Sequence, residues 1–268
     1  MRQTFRVADE QFLRIRSLEM NFPPGSQTGW HSHGWPQFVY SASGALRAEV
    51  EQCDSAESSV TRLLVPPGRG LWLGSGIKHK LMMLGNVKLR TLYCRVDAFA
   101  DEPLQVLRVG GLLRELILRV CSLGALDVRV PEQRRLADVL VTELSTALRG
   151  RTALRWPRDS RAFALSECLL DGDGSDSTLE NLCTEVGLSR RTAERLFVAE
   201  TGLSPGRWRR EALLERSVVE LLEGKPIGHA AISAGFQSSS AYAAACRRSF
   251  GLTPTELRQG VLPKDKEG

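Results

Sequence analysis

Two stretches of this 268-residue chain repeat one pattern, and that pattern limits what the last hundred residues can fold into. Residues 187–205 read GLSRRTAERLFVAETGLSP, and residues 235–254 read GFQSSSAYAAACRRSFGLTP. Each opens on a glycine, a large apolar residue and a polar cap. Each then runs for the length of a short helix and closes on Gly-Leu-Ser/Thr-Pro. The spacing predicts a helix, a glycine turn and a second helix, made twice. In the first copy Leu179, Leu182, Val186 and Leu188 are the apolar positions of the leading helix and turn. Gly187 stands where that helix must stop and reverse, and Ser189 caps the next one. Leu196 and Phe197 turn to the core, which leaves Arg190, Arg191, Glu194 and Arg195 on the other side. In the second copy Ile227, Ala230, Ala231 and Ala234 lead to Gly235 and Phe236. Ser238, Ser239 and Ser240 then open a helix with Tyr242, Cys246 and Phe250 on its inner face. Between the copies Ser204-Pro205 starts a linking helix that carries Leu213, Leu214, Val218, Leu221 and Leu222 and stops at Gly224.

From about residue 178 to residue 258 the chain resembles the DNA-binding half of AraC/XylS-type transcription regulators. The likeness extends to the closing Gly251-Leu252-Thr253-Pro254 with Arg258. The sequence departs from the family pattern at Ala244, where Arg is usual, and at Cys246, where Phe is usual. The resemblance implies double-stranded promoter DNA as a partner and, since most such regulators activate, RNA polymerase as another. An α-helix fits the major groove, and its first turns reach base edges. The candidates are Ser189, Arg190, Arg191, Glu194 and Arg195 in the first module. In the second they are Gln237, Ser238, Ser239, Ser240, Ala243, Ala244 and Arg247, with Arg247 on phosphate. Glu194 is read as orienting an arginine rather than accepting from cytosine. The short side chains of the second module suit contact with a thymine methyl.

Bulk charge does not make this case. The net charge is +5, yet residues 166–268 carry 13 Lys/Arg against 15 Asp/Glu. The positive groups matter by placement: Arg190, Arg191 and Arg195 on one helix, Arg207, Arg209 and Arg210 after it, Arg247 and Arg248 on the other. Acidic residues gather instead between Asp171 and Asp176. With 42% hydrophobic and 25% charged residues the composition is that of a soluble globular protein. Cys53, Cys94, Cys121, Cys168, Cys183 and Cys246 form no C-x-x-C pair and read as free thiols of a reducing compartment. The first residues hold no apolar leader segment, and no run reaches membrane-spanning length, so a cytoplasmic protein with no membrane partner is expected.

The first hundred residues read as β-structure. Leu13 and Ile15, Phe38-Val39-Tyr40, the alternation Leu46, Ala48, Val50, then Leu63-Leu64-Val65 and the run from His79 suggest strands. Pro23-Pro24-Gly25, Ser43-Gly44, Pro66-Pro67-Gly68 and Gly85-Asn86 mark the turns. Short strands at this spacing point to a barrel or double-sheet jelly roll. Three of the four histidines lie here. Gly25 stands six residues before His31, and H-S-H-G-W-P-Q-F-V-Y-S-A-S-G resembles the first cupin motif, with His31, His33 and Gln37 in the Glu position. Gly68, Gly74, Gly76 and His79 echo the second motif, in which Gly74 replaces Pro and Met83 replaces Asn. Residues i and i+2 of a strand share a face, so His31 and His33 are expected to point together with His79 opposite. Three neutral imidazoles and a carboxamide oxygen suit Zn, Ni, Fe or Mn. The competing reading keeps the same histidines as hydrogen-bonding groups of an effector pocket. Trp30, Trp35, Phe38, Tyr40 and Trp72 are candidates to line a pocket for a small organic effector, or else barrel core. His229 stands alone at a helix start and reads as structural.

Between the two parts, residues 106–123 carry Val109, Leu112, Leu113, Leu116, Ile117 and Val120 at helical spacing. Residues 131–148 repeat this with Leu136, Val139, Leu140, Leu144 and Leu148. Helices at this point of an AraC-type chain imply a homodimer; packing within the chain is the alternative. The expected class is α+β: a cupin-like sensor barrel over 1–100, a helical packing segment over 101–150, a linker over 151–160 and a tandem helix-turn-helix domain over 161–262. The function this implies is a DNA-binding transcription regulator under effector or metal control, not an enzyme. A cupin dioxygenase or isomerase with a helical appendage is the alternative, but the tandem repeat would have no purpose in it. A third reading uses the helical repeats to bind protein.

Overall fold

A computed structural model describes residues 7–54, 57–95, 104–148, 154–171 and 178–259. The first part of the linker reading (residues 151–153), most of the acidic stretch (172–177) and the Cys53 side chain lie outside the described residues. The chain divides into two compact units, one built on Met1–Ala48 and Val65–Thr152, the other on Glu49–Leu64 and Ala153–Arg258.

Antiparallel strands organise the first unit, and the strand pair over Glu49–Leu64 is counted with the second. In chain order these are β1 (Leu13–Phe22), β2 (Gln37–Ser41), β3 (Ala45–Asp54), β4 (Glu57–Val65), β5 (Arg69–Leu73), β6 (His79–Leu84), β7 (Val87–Cys94), β8 (Leu104–Arg108) and β9 (Ala125–Asp127). They form a six-stranded sheet in the order β8-β5-β2-β7-β1-β9 and a three-stranded sheet in the order β4-β3-β6. Helices α1 (Gly111–Leu123) and α2 (Pro131–Thr146) follow. The α+β class expected from the strand pattern and the helical repeats is the class observed.

Register decides what each β-residue does. Across the middle of the large sheet Phe38 pairs with Trp72 on one side and Leu92 on the other, and Tyr40 pairs with Arg90. Side chains alternate with period two, so these residues, with Ile15 and Cys94, share one face. That face is covered by Leu113, Ile117, Val120 and Cys121 of α1 and by Ala137, Leu140 and Leu144 of α2 in one buried core. Gly70 is the close-approach point: a Cβ there would lie 2.1 Å from Phe38 Cζ, so only glycine lets the β5 backbone pass the ring.

Helix α1 starts at Gly111, not at Val106 as the apolar spacing suggested. Residues Leu104–Arg108 instead pair in register with β5, Val106 opposite Leu71 and Leu107 opposite Gly70. An unsatisfied sheet edge took the segment, and Gly110-Gly111 separates strand from helix. Three residues of the expected apolar stripes also turn outward: Leu112 is 60%, Val139 47% and Leu148 68% exposed.

The second unit carries α3 (Ser160–Asp171), α4 (Leu179–Glu185), α5 (Arg190–Thr201), α6 (Pro205–Leu222), α7 (Ile227–Ser233), α8 (Ser239–Phe250) and α9 (Pro254–Gln259). Its first core joins Leu165, Cys183, Leu188, Ala193, Phe197 and Trp208. Trp208 meets Phe197 edge-on at 5.7 Å and Trp156 at 5.0 Å, and its indole N–H donates to the Arg155 carbonyl at 2.8 Å. Arg209, which the charge pattern set among the basic residues near the DNA helices, donates to the Leu169 carbonyl, and Arg216 donates to that of Leu170. They close the C-terminal turn of α3.

Candidate nucleic-acid interface and histidine cluster

The two helix pairs are built by the same bonds. Gly187 N–H donates to the carbonyl three residues back (Thr184, 3.1 Å), and Leu188 N–H to that five back (Cys183, 2.8 Å). In the second pair Gly235 donates to Ile232 at 2.8 Å and Phe236 to Ala231 at 2.9 Å, the same offsets. Both glycines sit at positive φ, 69° and 79°, the left-handed conformation that ends a helix and sends the chain back. Ser189 Oγ accepts from Thr192 N–H at 3.1 Å and Ser238 Oγ from Ala241 N–H at 3.2 Å. Each serine thus starts its second helix as an N-cap, a role the sequence assigned to Ser189.

Packing then fixes the outward faces. In α5, Ala193 and Phe197 are buried. Arg190, Arg191, Glu194 and Arg195 are exposed. Arg190 is held on both sides: its Nε donates to Glu194 at 3.0 Å, and its terminal nitrogen pairs with Glu180 of α4. The hydrogen bond from Arg190 stabilises the Glu180 carboxylate and holds that carboxyl below the usual range. The arginine that Glu194 pairs with is Arg190. Arg191 and Arg195 make no ion pair among the described residues and lie one turn apart.

In α8, Tyr242, Ala245, Cys246 and Phe250 face inward. The Tyr242 hydroxyl meets Ser217 Oγ at 2.8 Å, and Cys246 fills a fully buried position where the family pattern has Phe. Gln237, Ser239, Ser240, Ala244 and Arg247 are exposed and Ala243 is half-buried. Arg247 also lies near Glu256, which is held below the ordinary carboxylate range first by the Thr253 backbone.

The first unit brings the three histidines together. His31 is not on a strand; it forms a single antiparallel bridge to His79 at the start of β6, with N–H···O bonds of 3.0 and 2.8 Å. His33 follows in the turn beyond. Ring centroids are 4.3 Å apart for His31–His79, 4.9 Å for His31–His33 and 5.6 Å for His33–His79. One nitrogen from each lies within 4.8 Å of the others. His31 Nδ1 meets the Gly29 carbonyl at 2.7 Å and His79 Nδ1 meets that of Ile77 at 3.0 Å. Nδ1–H donation to a carbonyl leaves Nε2 as the free lone pair. Burial pushes the His79 imidazole down to about 4 and lowers His33, so both stay neutral near pH 7. His33 Nε2, His79 Nε2 and Gln37 Oε1 are buried without a hydrogen-bond partner.

The expected aromatic lining does not form as a unit. Gln37 pairs with Tyr93, whose ring lies 4.8 Å from His33, so the histidine face is the one carrying Gln37, Val39, Thr91 and Tyr93. Phe38, Tyr40 and Trp72 are one residue out of phase and sit on the opposite face, fully buried under α1 and α2. They are core. Trp30 is 42% exposed with Lys78 over its ring, and Trp35 is flanked by Arg16 and Arg95 at 5.7 and 5.6 Å. The sequence reading missed Arg16, Leu18 and Met20 of β1, which pair with Tyr93, Thr91 and Leu89 and so extend the histidine face. Counting by twos from Gln37 would have found their partners.

Residues 182–260 match the family model described as a helix-turn-helix domain. The chain is similar to the HTH-type transcriptional regulator NimR of Escherichia coli (strain K12), at 26% identity over 225 residues, 84% of this chain and 80% of that one. It is similar to the HTH-type transcriptional activator RhaS of Escherichia fergusonii at 30% over 152 residues, and there it spans about half of the relative, 54%. A crystal structure of unsaturated fatty acid bound ToxT from Vibrio cholerae aligns over 93% of this chain and 98% of that one, with 13% identity and a TM-score of 0.38.

The depressed His79 pKa has a measurable consequence. Unfolded His79 takes up a proton below its ordinary value of 6.5, whereas folded His79 resists until about 4. The stability it contributes is therefore complete above pH 6.5 and lost as pH falls toward 4. Urea unfolding in the presence of a chelator should show this decline in the native sequence and a shallower one in His79→Gln; equal slopes would contradict the assignment. With its two matched helix pairs, its exposed arginines on the first and its likeness to HTH-type transcriptional regulators over most of its length, the chain is a helix-turn-helix DNA-binding regulator that resembles the AraC type.

Proposed function

We propose that this regulator reads promoter DNA mainly through Arg191 and Arg195, and that a metal- and effector-responsive cupin-like barrel in its first unit controls it. The observation that carries the DNA reading is the division of labour on α5. Glu180 and Glu194 tie down Arg190, while the two arginines beside it remain unpaired on the exposed face. A guanidinium takes two bonds from guanine, worth about 1–3 kcal/mol per pair. The second module offers Ser239, Ser240 and Ala244, short groups that favour apolar contact and backbone hydrogen bonding, with Arg247 on phosphate.

The metal reading rests on the three imidazoles and the partnerless Nε2 and Oε1 atoms beside them. His31, His33 and His79 would hold the ion, with Gln37 as an oxygen donor on the same face. A borderline divalent ion such as zinc, nickel, iron or manganese fits that donor set. Bound there, it would supply a cross-link between the His31–His33 turn and β6 and a Lewis-acid centre for an effector donor. The residues themselves orient the site: the Gly29 and Ile77 carbonyls fix the ring faces, and Tyr93 packs against His33. A small organic effector fits the continuation of this face, where Leu18 and Met20 are 47% and 37% exposed. A carboxamide in the carboxylate position favours sensing over catalysis.

Leu112 on α1 and Val139 on α2, both turned outward, support a homodimer through these helices. Recruitment of RNA polymerase and action in the cytoplasm complete the reading. Among the described residues no helix is long and apolar enough to cross a membrane.

Three measurements test this. In gel-shift titration on promoter fragments, Arg191→Ala or Arg195→Ala should weaken binding by about 1–3 kcal/mol and relax preference at one position; unchanged binding would refute the assignment. Elemental analysis of tag-free protein should find about one metal ion per chain, as expected for a single three-histidine set. His79→Ala should abolish it, and metal-free native protein would remove this part. Sedimentation at micromolar concentration should give a dimer that Leu112→Asp with Val139→Asp dissociates; a monomeric native chain would contradict the interface.

A further inference from the structure

We infer that Val198 is a base-reading residue of the first module, selecting a thymine by its C5 methyl group. Val198 is 54% exposed on α5, whose other large exposed side chains are all charged. It is seven residues after Arg191, four after Glu194 and three after Arg195, so at helical spacing it continues the stripe those residues form. The buried stripe, Ala193 and Phe197, is on the other side, and the core that Phe197 joins does not include Val198.

Nothing internal accounts for valine at this position. Its β-branched side chain is a weaker helix former than alanine, arginine or lysine, so propensity does not favour it. It packs no core and pairs with no charge. What it offers outward is a compact apolar surface, held in one preferred rotamer and therefore costing little entropy to order. Phosphate gives such a surface no partner. In the major groove the thymine methyl is the apolar group that a helix meets.

Position sets where the thymine lies. Three residues of helix advance about 4.5 Å and seven about 10.5 Å, against about 3.4 Å per base-pair step. The thymine should therefore fall within about three steps of the guanine taken by Arg195 or Arg191. The first module would read a mixed guanine-and-thymine element rather than guanines alone.

The test selects duplexes from a random-sequence pool with the full chain, its Arg195→Ala variant and its Val198→Ala variant. The native chain should enrich a thymine within three base pairs of the guanine whose selection Arg195→Ala removes. Val198→Ala should lose that thymine and keep the guanine. On the selected duplex, replacing this thymine by deoxyuridine should weaken native binding about fourfold, the factor that burial of one methyl group gives at ~0.8 kcal/mol. The same replacement should leave Val198→Ala unchanged. Alanine at an exposed helical site does not threaten folding, and a thermal melt checks it. Identical selections by native and Val198→Ala chains would overturn the inference. So would native binding indifferent to every thymine-to-deoxyuridine change, or a Val198→Lys variant that binds all duplexes more tightly and keeps the thymine preference, since that would put the residue against phosphate.

Discussion

The DNA-binding half depends on one backbone constraint, the left-handed glycine that ends α4 and α7. At Gly187 and Gly235 a side chain would be strained, and each turn is locked by two N–H···O bonds at the same offsets. The turn sets the angle at which the second helix leaves, and a serine cap starts that helix at once. Everything outward follows. With Phe197 against Trp208 and Tyr242 on Ser217, each helix has a single side to show. Cys246 is fully buried on the inner side of α8, and burial pushes its thiol up to about 11, which keeps it an unreactive packing group.

Charge on the DNA-facing side is arranged rather than abundant. The carboxy-terminal residues are slightly acidic in sum, and three of the arginines nearest the first module have internal partners: Arg190 on two glutamates, Arg209 and Arg216 on the carbonyls that end α3. An exposed ion pair contributes little stability. Its effect here is to hold Arg190 against α4 and α5 while Arg191 and Arg195 make no ion pair among the described residues. On the proposed reading, specificity follows from which cations are left without partners among the described residues.

Legibility in the sequence tracked the strength of local signals. The tandem helices were readable because glycine, cap and proline recur at fixed offsets and each has a mechanical meaning. The histidine cluster was readable from its spacing, yet not its geometry. His31 and His33 were expected on a strand, and only a single bridge to His79 aligns them. The aromatic lining failed for a stricter reason. Trp30, Trp35, Phe38, Tyr40 and Trp72 are near neighbours in sequence, but a one-residue step in a strand changes faces. Phe38 and Gln37 therefore belong to different environments. Strand β8 was hidden because Val106 and Leu107 fit a helical stripe as well as a strand, and only the free edge of β5 distinguishes them. Non-local pairing of this kind leaves no mark in a single sequence.

The central claim is that two matched helices, joined through the 18-residue α6, enter the duplex together. At 1.5 Å per residue α6 spans about 27 Å, a rigid spacer close to one turn of DNA. Interference footprinting of the full chain on a selected duplex tests this most directly. Two groups of major-groove base contacts about ten base pairs apart on one face are expected, with guanine dominating the group that Arg191→Ala or Arg195→Ala erases. A single group of contacts, or two on opposite faces of the duplex, would contradict the account.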